Sequence, residues 1–210
     1  MNNLGIKATI YDIIGYLVPG FLSIISIFMI IKGGILNQNG EINFEVFQSI
    51  TIDLPFVFYV IIFTFSYISG HIIESISSFI YKKILYKPVM KFFMRKHYDK
   101  MNSIADNKFK TNFLSSEQNF MSYCELKYPV INDTVFRFLS FYGFSRNITI
   151  ILILVYISLC INGQYFTIFG FSLIISILAM SWNYFRFRKY FELKIISVLD
   201  LEKNNMHEVK

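Results

Sequence analysis

The chain is predicted to be all-α and polytopic, with four transmembrane helices and a small cytoplasmic helical layer. Four long apolar stretches at residues 13–31, 54–73, 148–161 and 165–185 dominate its 210 residues, the third reaching span length once the residues from Phe138 are included. A hydrocarbon core about 30 Å thick needs roughly 20 apolar residues per helix and tolerates no unpaired lipid-facing backbone group, so such stretches are helical. The hydrophobic fraction of 54% also exceeds the about 45–50%, glycine included, of ordinary soluble domains. The third observation is charge placement within a net charge of +6. Residues 82–146 hold twelve Lys and Arg against five Asp and Glu. The connection at 32–53 has Lys32 against Glu41, Glu45 and Asp53, and the connection at 162–164 is uncharged. With Arg186, Arg188 and Lys189 after the last stretch, the positive-inside rule puts the basic segment and both termini in the cytoplasm. The abundance of Ile, Asn, Lys, Phe and Tyr goes, by association, with an AT-rich bacterial genome. A multi-pass protein of the bacterial inner membrane is therefore expected.

Four segments follow: a first transmembrane hairpin at 1–81, a basic cytoplasmic helical segment at 82–134, a second hairpin at 135–186 and a cytoplasmic helical tail at 187–210. Asp12 is placed to cap the first helix, with Tyr11 and Tyr16 as interfacial aromatics. The first stretch lacks a cleavage site and is expected to stay attached. Pro19 and Gly20 interrupt it, marking a kink or a moving hinge, and Gly33-Gly34 ends it. In the second span His71, Glu74, Ser75 and Ser78 fall at i, i+3, i+4 and i+7, predicting one polar helix face. Ser66 and Gly70 form a small-xxx-small pair that lets helix backbones approach.

Residues 81–96 predict a basic amphipathic helix, with Leu85, Val89, Phe92 and Phe93 on one side and Lys83, Lys87, Lys91 and Arg95 on the other. Such a stretch meets membrane lipids, an acidic partner or nucleic acid. Residues 102–115 predict a loop. Ser115-Ser116-Glu117-Gln118 opens a short helix that runs to Lys127 and stops before Pro129. Asn132 or Asp133 then caps a helix over 134–161, about 42 Å long. Asn162-Gly163-Gln164 makes a tight turn between antiparallel helices. The fourth helix continues past Phe185, where Phe187, Phe191, Ile195 and Val198, with Phe92/Phe93 and Val135/Phe136, build the cytoplasmic layer.

His71 and Glu74 are the candidate chemistry. One turn apart, they are placed to share a proton, bind a metal or line a water path, or else to belong to a satisfied polar cluster closed by Arg146 and Asn147. A di-iron bundle needs two Glu-x-x-His motifs and two more carboxylates, where this chain has one reversed pair, so no metal and no cofactor is expected. Cys124 and Cys160 are read as free thiols. Neither a nucleophile elbow nor a phosphate-binding glycine loop is present, and the serines of the second span are read as packing residues, so the chain is not expected to be an enzyme.

Four short motifs remain: Tyr11-Asp12 with Gly15-Tyr16 and Pro19-Gly20, Gly70-His71, Arg146-Asn147, and Arg186 with Arg188-Lys189-Tyr190. Together they resemble small bacterial four-span proteins that accompany antiphage systems, among them transmembrane accessory proteins of type VI-B CRISPR loci and transmembrane effectors of cyclic-oligonucleotide signalling. The resemblance implies a homo-oligomeric inner-membrane effector that forms a pore-like pathway or perturbs the membrane. Its alternative is a scaffold or sensor that recruits a soluble defence protein or nucleic acid through the basic segment.

Overall fold

The computed structural model describes residues 13–31, 56–109 and 129–208, and among them all regular structure is helical. A π-helical turn, Ile13–Leu17, leads into α1, Val18–Ile31. Helix α2, Phe56–Ser78, runs through a second π-helical stretch, Phe79–Leu85, into α3, Tyr86–Phe93. Then come α4, Arg95–Phe109, α5, Pro129–Ile161, and α6, Ile168–Glu208. Three stretches, Phe58–Phe93, Arg137–Ile161 and Ile168–Ile196, are long and apolar enough to cross a membrane, whereas Ile13–Phe28 is a shorter apolar helix. The Asp12 cap, the Gly33-Gly34 terminus and the short helix opened by Ser115 lie outside the described residues.

Both π-helical stretches sit just before a proline, Pro19 in one case and Pro88 in the other. A proline offers no N–H to the carbonyl four residues back and its ring crowds that carbonyl, so a wider turn relieves the conflict. The extra residue shifts every side chain downstream. On the basic stretch the buried positions are therefore Tyr81, Tyr86 and Met90, five and then four residues apart. This corrects the expected apolar side: Leu85 and Val89 are half-buried, and Phe92 and Phe93 face outward.

The chain divides into two compact units, residues 1–77 with 143–183 and residues 78–142 with 184–210. In the first unit Leu159 of α5 and Leu173 of α6 are buried together, packed by Ile25 and Phe28 of α1 with Leu152, Val155, Tyr156 and Phe169. Helix α5 ends where Gly163, at φ 71°, lets its N–H bond the Cys160 carbonyl at 3.2 Å and the Gln164 N–H bond the Leu159 carbonyl at 2.8 Å. A left-handed residue with this bond pair is a Schellman stop, which suits glycine. Thr167 then caps α6 by accepting from the Gly170 N–H at 3.1 Å. The connection thus runs to Thr167, longer than the three residues expected.

In the second unit half of the buried residues among those described are aromatic. The Tyr81 ring lies 4.5 Å from Tyr184, and Tyr142 meets Tyr184 and Phe191 edge-on, each at 5.7 Å. Residues 102–109, expected as loop, are helical. Fully buried Met101 anchors α4, and Asn102 spends its side-chain amide on the Tyr98 carbonyl one turn back, at 3.0 Å. Helix α5 starts at Pro129, five residues before the expected start, because proline suits the first helical position, where an N–H has no partner anyway.

Sequence charge divides with the units. The first contains Lys7, Lys32 and Arg146 against five acidic residues, a net −2, and the second contains seventeen Lys and Arg against nine acidic residues, a net +8.

Candidate functional site

The face of α2 that turns inward is Ser66, Gly70, Ile73 and Ser77, spaced four, three and four residues apart. Its upper part is a backbone contact. A methyl group at Gly20 would overlap the Ser66 carbonyl oxygen and lie 2.6 Å from the Gly70 nitrogen, and one at Gly70 would lie 2.6 Å from the Tyr16 carbonyl carbon. Only glycine leaves room for α1 and α2 to meet this closely. Buried Pro19 adjoins the contact. Beside it, Leu17, Phe21, Leu22, Tyr59 and Phe63 line an open apolar groove of ≈ 440 Å³.

One turn below, three helical segments meet at a polar node. Arg146 of α5, 2% exposed, pairs with Glu74 of α2 through Nη2 and Oε1 and donates from Nε to the Ser77 hydroxyl at 3.0 Å. Asn147, fully buried, donates through Nδ2 to Glu74 Oε2 at 2.9 Å and to the Gly15 carbonyl at 3.1 Å. Its Oδ1 accepts from Ser77. Both Glu74 oxygens, both amide hydrogens of Asn147 and the Ser77 hydroxyl are therefore engaged. Gly15 is four residues before Pro19, the residue that cannot donate to it. A side chain from α5 thus replaces the backbone N–H that α1 lacks.

His71 is not part of this node, which corrects the expected His71–Glu74 pair. Its imidazole stacks on Tyr16 at 4.2 Å between centroids and meets Tyr67 edge-on at 4.7 Å. Ser75 is exposed and returns its hydroxyl to the His71 carbonyl at 2.9 Å, and Ser78 is half-buried outside the node. The reason is rotational: with Gly70, Ile73 and Ser77 taking the inward face, His71 and Ser75 point outward. Ser77, read as a packing residue in the sequence, is the member that spacing four from Ile73 brings in.

The second unit holds a node with no counterpart among the predicted site residues. Arg188 and Glu192 of α6, one turn apart and fully buried, bond at 2.9 Å from Nε to Oε1. The same Oε1 accepts from the Tyr86 hydroxyl at 2.6 Å, and Oε2 lies 2.7 Å from His97 Nε2. Arg188 also donates to the Tyr142 hydroxyl at 3.1 Å. Its guanidinium carbon stands 5.3, 5.1 and 5.3 Å from the ring centres of Tyr86, Tyr142 and Phe191. A cation desolvated among three rings gains from each quadrupole, and a buried ion pair holds only when such partners complete it. The sequence signal was an Arg and a Glu at i, i+4 inside an aromatic run.

Of the predicted basic contacts, Lys83, Lys87 and Lys91 are exposed, while Arg95 faces Asp99 at 3.8 Å. Among the described residues no three His, Cys, Asp or Glu side chains converge on one point, and Cys160 is an exposed free thiol.

The fold and these nodes define an all-helical protein with three helices of membrane-spanning length and apolarity, each unit carrying a buried ion-pair network. No protein-family model matches this chain, and no curated protein or solved structure matches it either.

Proposed function

We propose that this chain is a four-span, non-enzymatic inner-membrane protein that anchors a basic helical unit at the cytoplasmic face, where a soluble partner is recruited. The setting is the antiphage accessory role that its short motifs imply. The observation carrying this reading is the division of charge, −2 against +8, between the two units. Such an asymmetry orients a multi-pass chain with its cationic part inside. The Glu74–Arg146–Asn147 node supports an anchor better than a conduit, since both Glu74 oxygens and the Asn147 amide are engaged by Arg146, Ser77 and Gly15 or by each other. Reporter fusions at Asn39 and Gly163 are expected to read outside, and fusions at Asn107 and Lys210 inside. An inside signal at Asn39 refutes the four-span anchor.

A second reading, an oligomeric effector that opens a pathway, is favoured by one observation: His71 and Ser75 face outward from the apolar unit. A polar face exposed to lipid is costly, and a neighbouring copy would cover it. In that case expression with the activating partner depolarises cells, and His71→Leu abolishes the effect.

A further inference from the structure

We propose that the outward face of α3 and the π-helical stretch before it is a docking surface for anionic phospholipid headgroups. The proposal rests on the cytoplasmic reading of the basic unit. The inward face of this segment is committed, with Tyr81, Tyr86 and Met90 at 1% exposure or less. Two sets of side chains remain outside. Lys83, Lys87 and Lys91 are cationic and all exposed, with Lys87 and Lys91 one residue past the inward Tyr86 and Met90 and Lys83 turned further round by the π-helical stretch. Ile84, Pro88 and Phe92 are apolar and lie beside them, with Ile84 54% and Phe92 81% exposed.

An occupant of this face must offer anions beside an apolar bed. An anionic bilayer surface does so, with phosphates over acyl chains at the depth where interfacial helices bury their apolar side. Charge complementarity is direct, because residues 79–93 contain Lys82, Lys83, Lys87 and Lys91 and no Asp or Glu. Lys83 leans over the Phe79 ring at 5.3 Å, with its ammonium on the outer side of the segment. Base stacking fits less well, since Phe92 and Phe93 are engaged edge-to-face at 4.9 Å. The same helical stretch, Phe58–Phe93, is apolar enough to cross a membrane, which keeps lipid within reach.

The test uses the full chain with Cys124→Ser, Cys160→Ser and Phe92→Cys, reconstituted in nanodiscs of phosphatidylcholine alone or mixed with phosphatidylglycerol. Labelling of residue 92 by a charged maleimide is expected to slow at least tenfold in the anionic discs and to recover in high salt. Each lysine near an anionic surface contributes on the order of fivefold, so changing Lys83, Lys87 and Lys91 together to Gln is expected to abolish the protection, a loss of up to about a hundredfold. The matching Lys→Arg triple, which keeps the charge, is expected to retain it. Equal labelling in both discs overturns the proposal. Protection in pure phosphatidylcholine that grows with chains per disc also overturns it, in favour of a second copy, and protection that requires added oligonucleotide overturns it in favour of nucleic acid. Asn107→Cys, labelled from one side of intact and inverted vesicles, reports the cytoplasmic reading separately. Access from the outside refutes that reading, whereas cytoplasmic access with equal disc labelling refutes the lipid surface alone.

Discussion

Replacing Arg146 with Leu removes a guanidinium that pairs with Glu74 and bonds Ser77. The carboxylate it leaves behind still has Asn147 Nδ2 at 2.9 Å, but its countercharge is gone. Stripping one partner from a fully buried pair costs about 3–5 kcal/mol. Glu74 keeps 30% side-chain exposure, so the expected cost is lower, about 2–3 kcal/mol. Changing Glu74 to Leu alone strands the guanidinium, which at 2% exposure is the harsher loss, about 3–4 kcal/mol. The double change removes both charges and leaves Asn147 its contacts with Gly15 and Ser77. Its cost is expected near 1 kcal/mol, far below the sum, because residues sharing one network are non-additive. Reversible unfolding in mixed micelles, followed by far-ultraviolet circular dichroism and Trp182 fluorescence, measures all three variants. A double variant whose loss equals the sum of the single losses refutes the view that this node is one cooperative pair.

Gly20→Ala is expected to destabilise by more than about 3 kcal/mol, since the new methyl meets backbone atoms on α2 that cannot swing away. Gly143→Ala, with nothing within 4 Å of the added carbon, is expected to stabilise by up to about 1 kcal/mol; thermal midpoints of the two compared with wild type decide it. Asn147→Leu leaves the Gly15 carbonyl without its donor and is expected to cost about 1–3 kcal/mol. Adding Pro19→Ala restores a backbone N–H in reach of that carbonyl and is expected to recover part of the loss, while no recovery in the same unfolding titration refutes the exchange of donors.

Much of the helical architecture was legible because apolar run length and helix rise are tied to bilayer thickness. Ser66 and Gly70 were legible as a small pair at spacing four that lets helix backbones approach, whereas Gly20 was read as a kink or hinge rather than as the residue that meets them. Arg146 and Asn147 stood out as polar residues heading an apolar run, and the structure puts them on Glu74. The phase of the faces was not legible. A strict 3.6-residue period joined His71 to Glu74 and assigned Phe92 to the packed side, whereas the inward face of α2 follows its glycine contact and the π-helical stretch before Pro88 adds a residue to the turn. The Arg188 node escaped because His97 and Tyr86 are 95 and 106 residues from Glu192. Periodicity within one helix contains no information about pairings at that range.

The bond from Asn147 to Gly15 spans 132 residues, and that separation bears on how the chain is made. When α1 leaves the ribosome, its proline has already deprived one carbonyl of the neighbour that would satisfy it, and the substitute donor has not been synthesised. At about 5–20 residues per second the wait is roughly 7–26 s. During that interval the Gly15 carbonyl is without its asparagine partner. That partner is available only after the fifth helix arrives, so assembly of the apolar unit is ordered by the sequence position of a single asparagine.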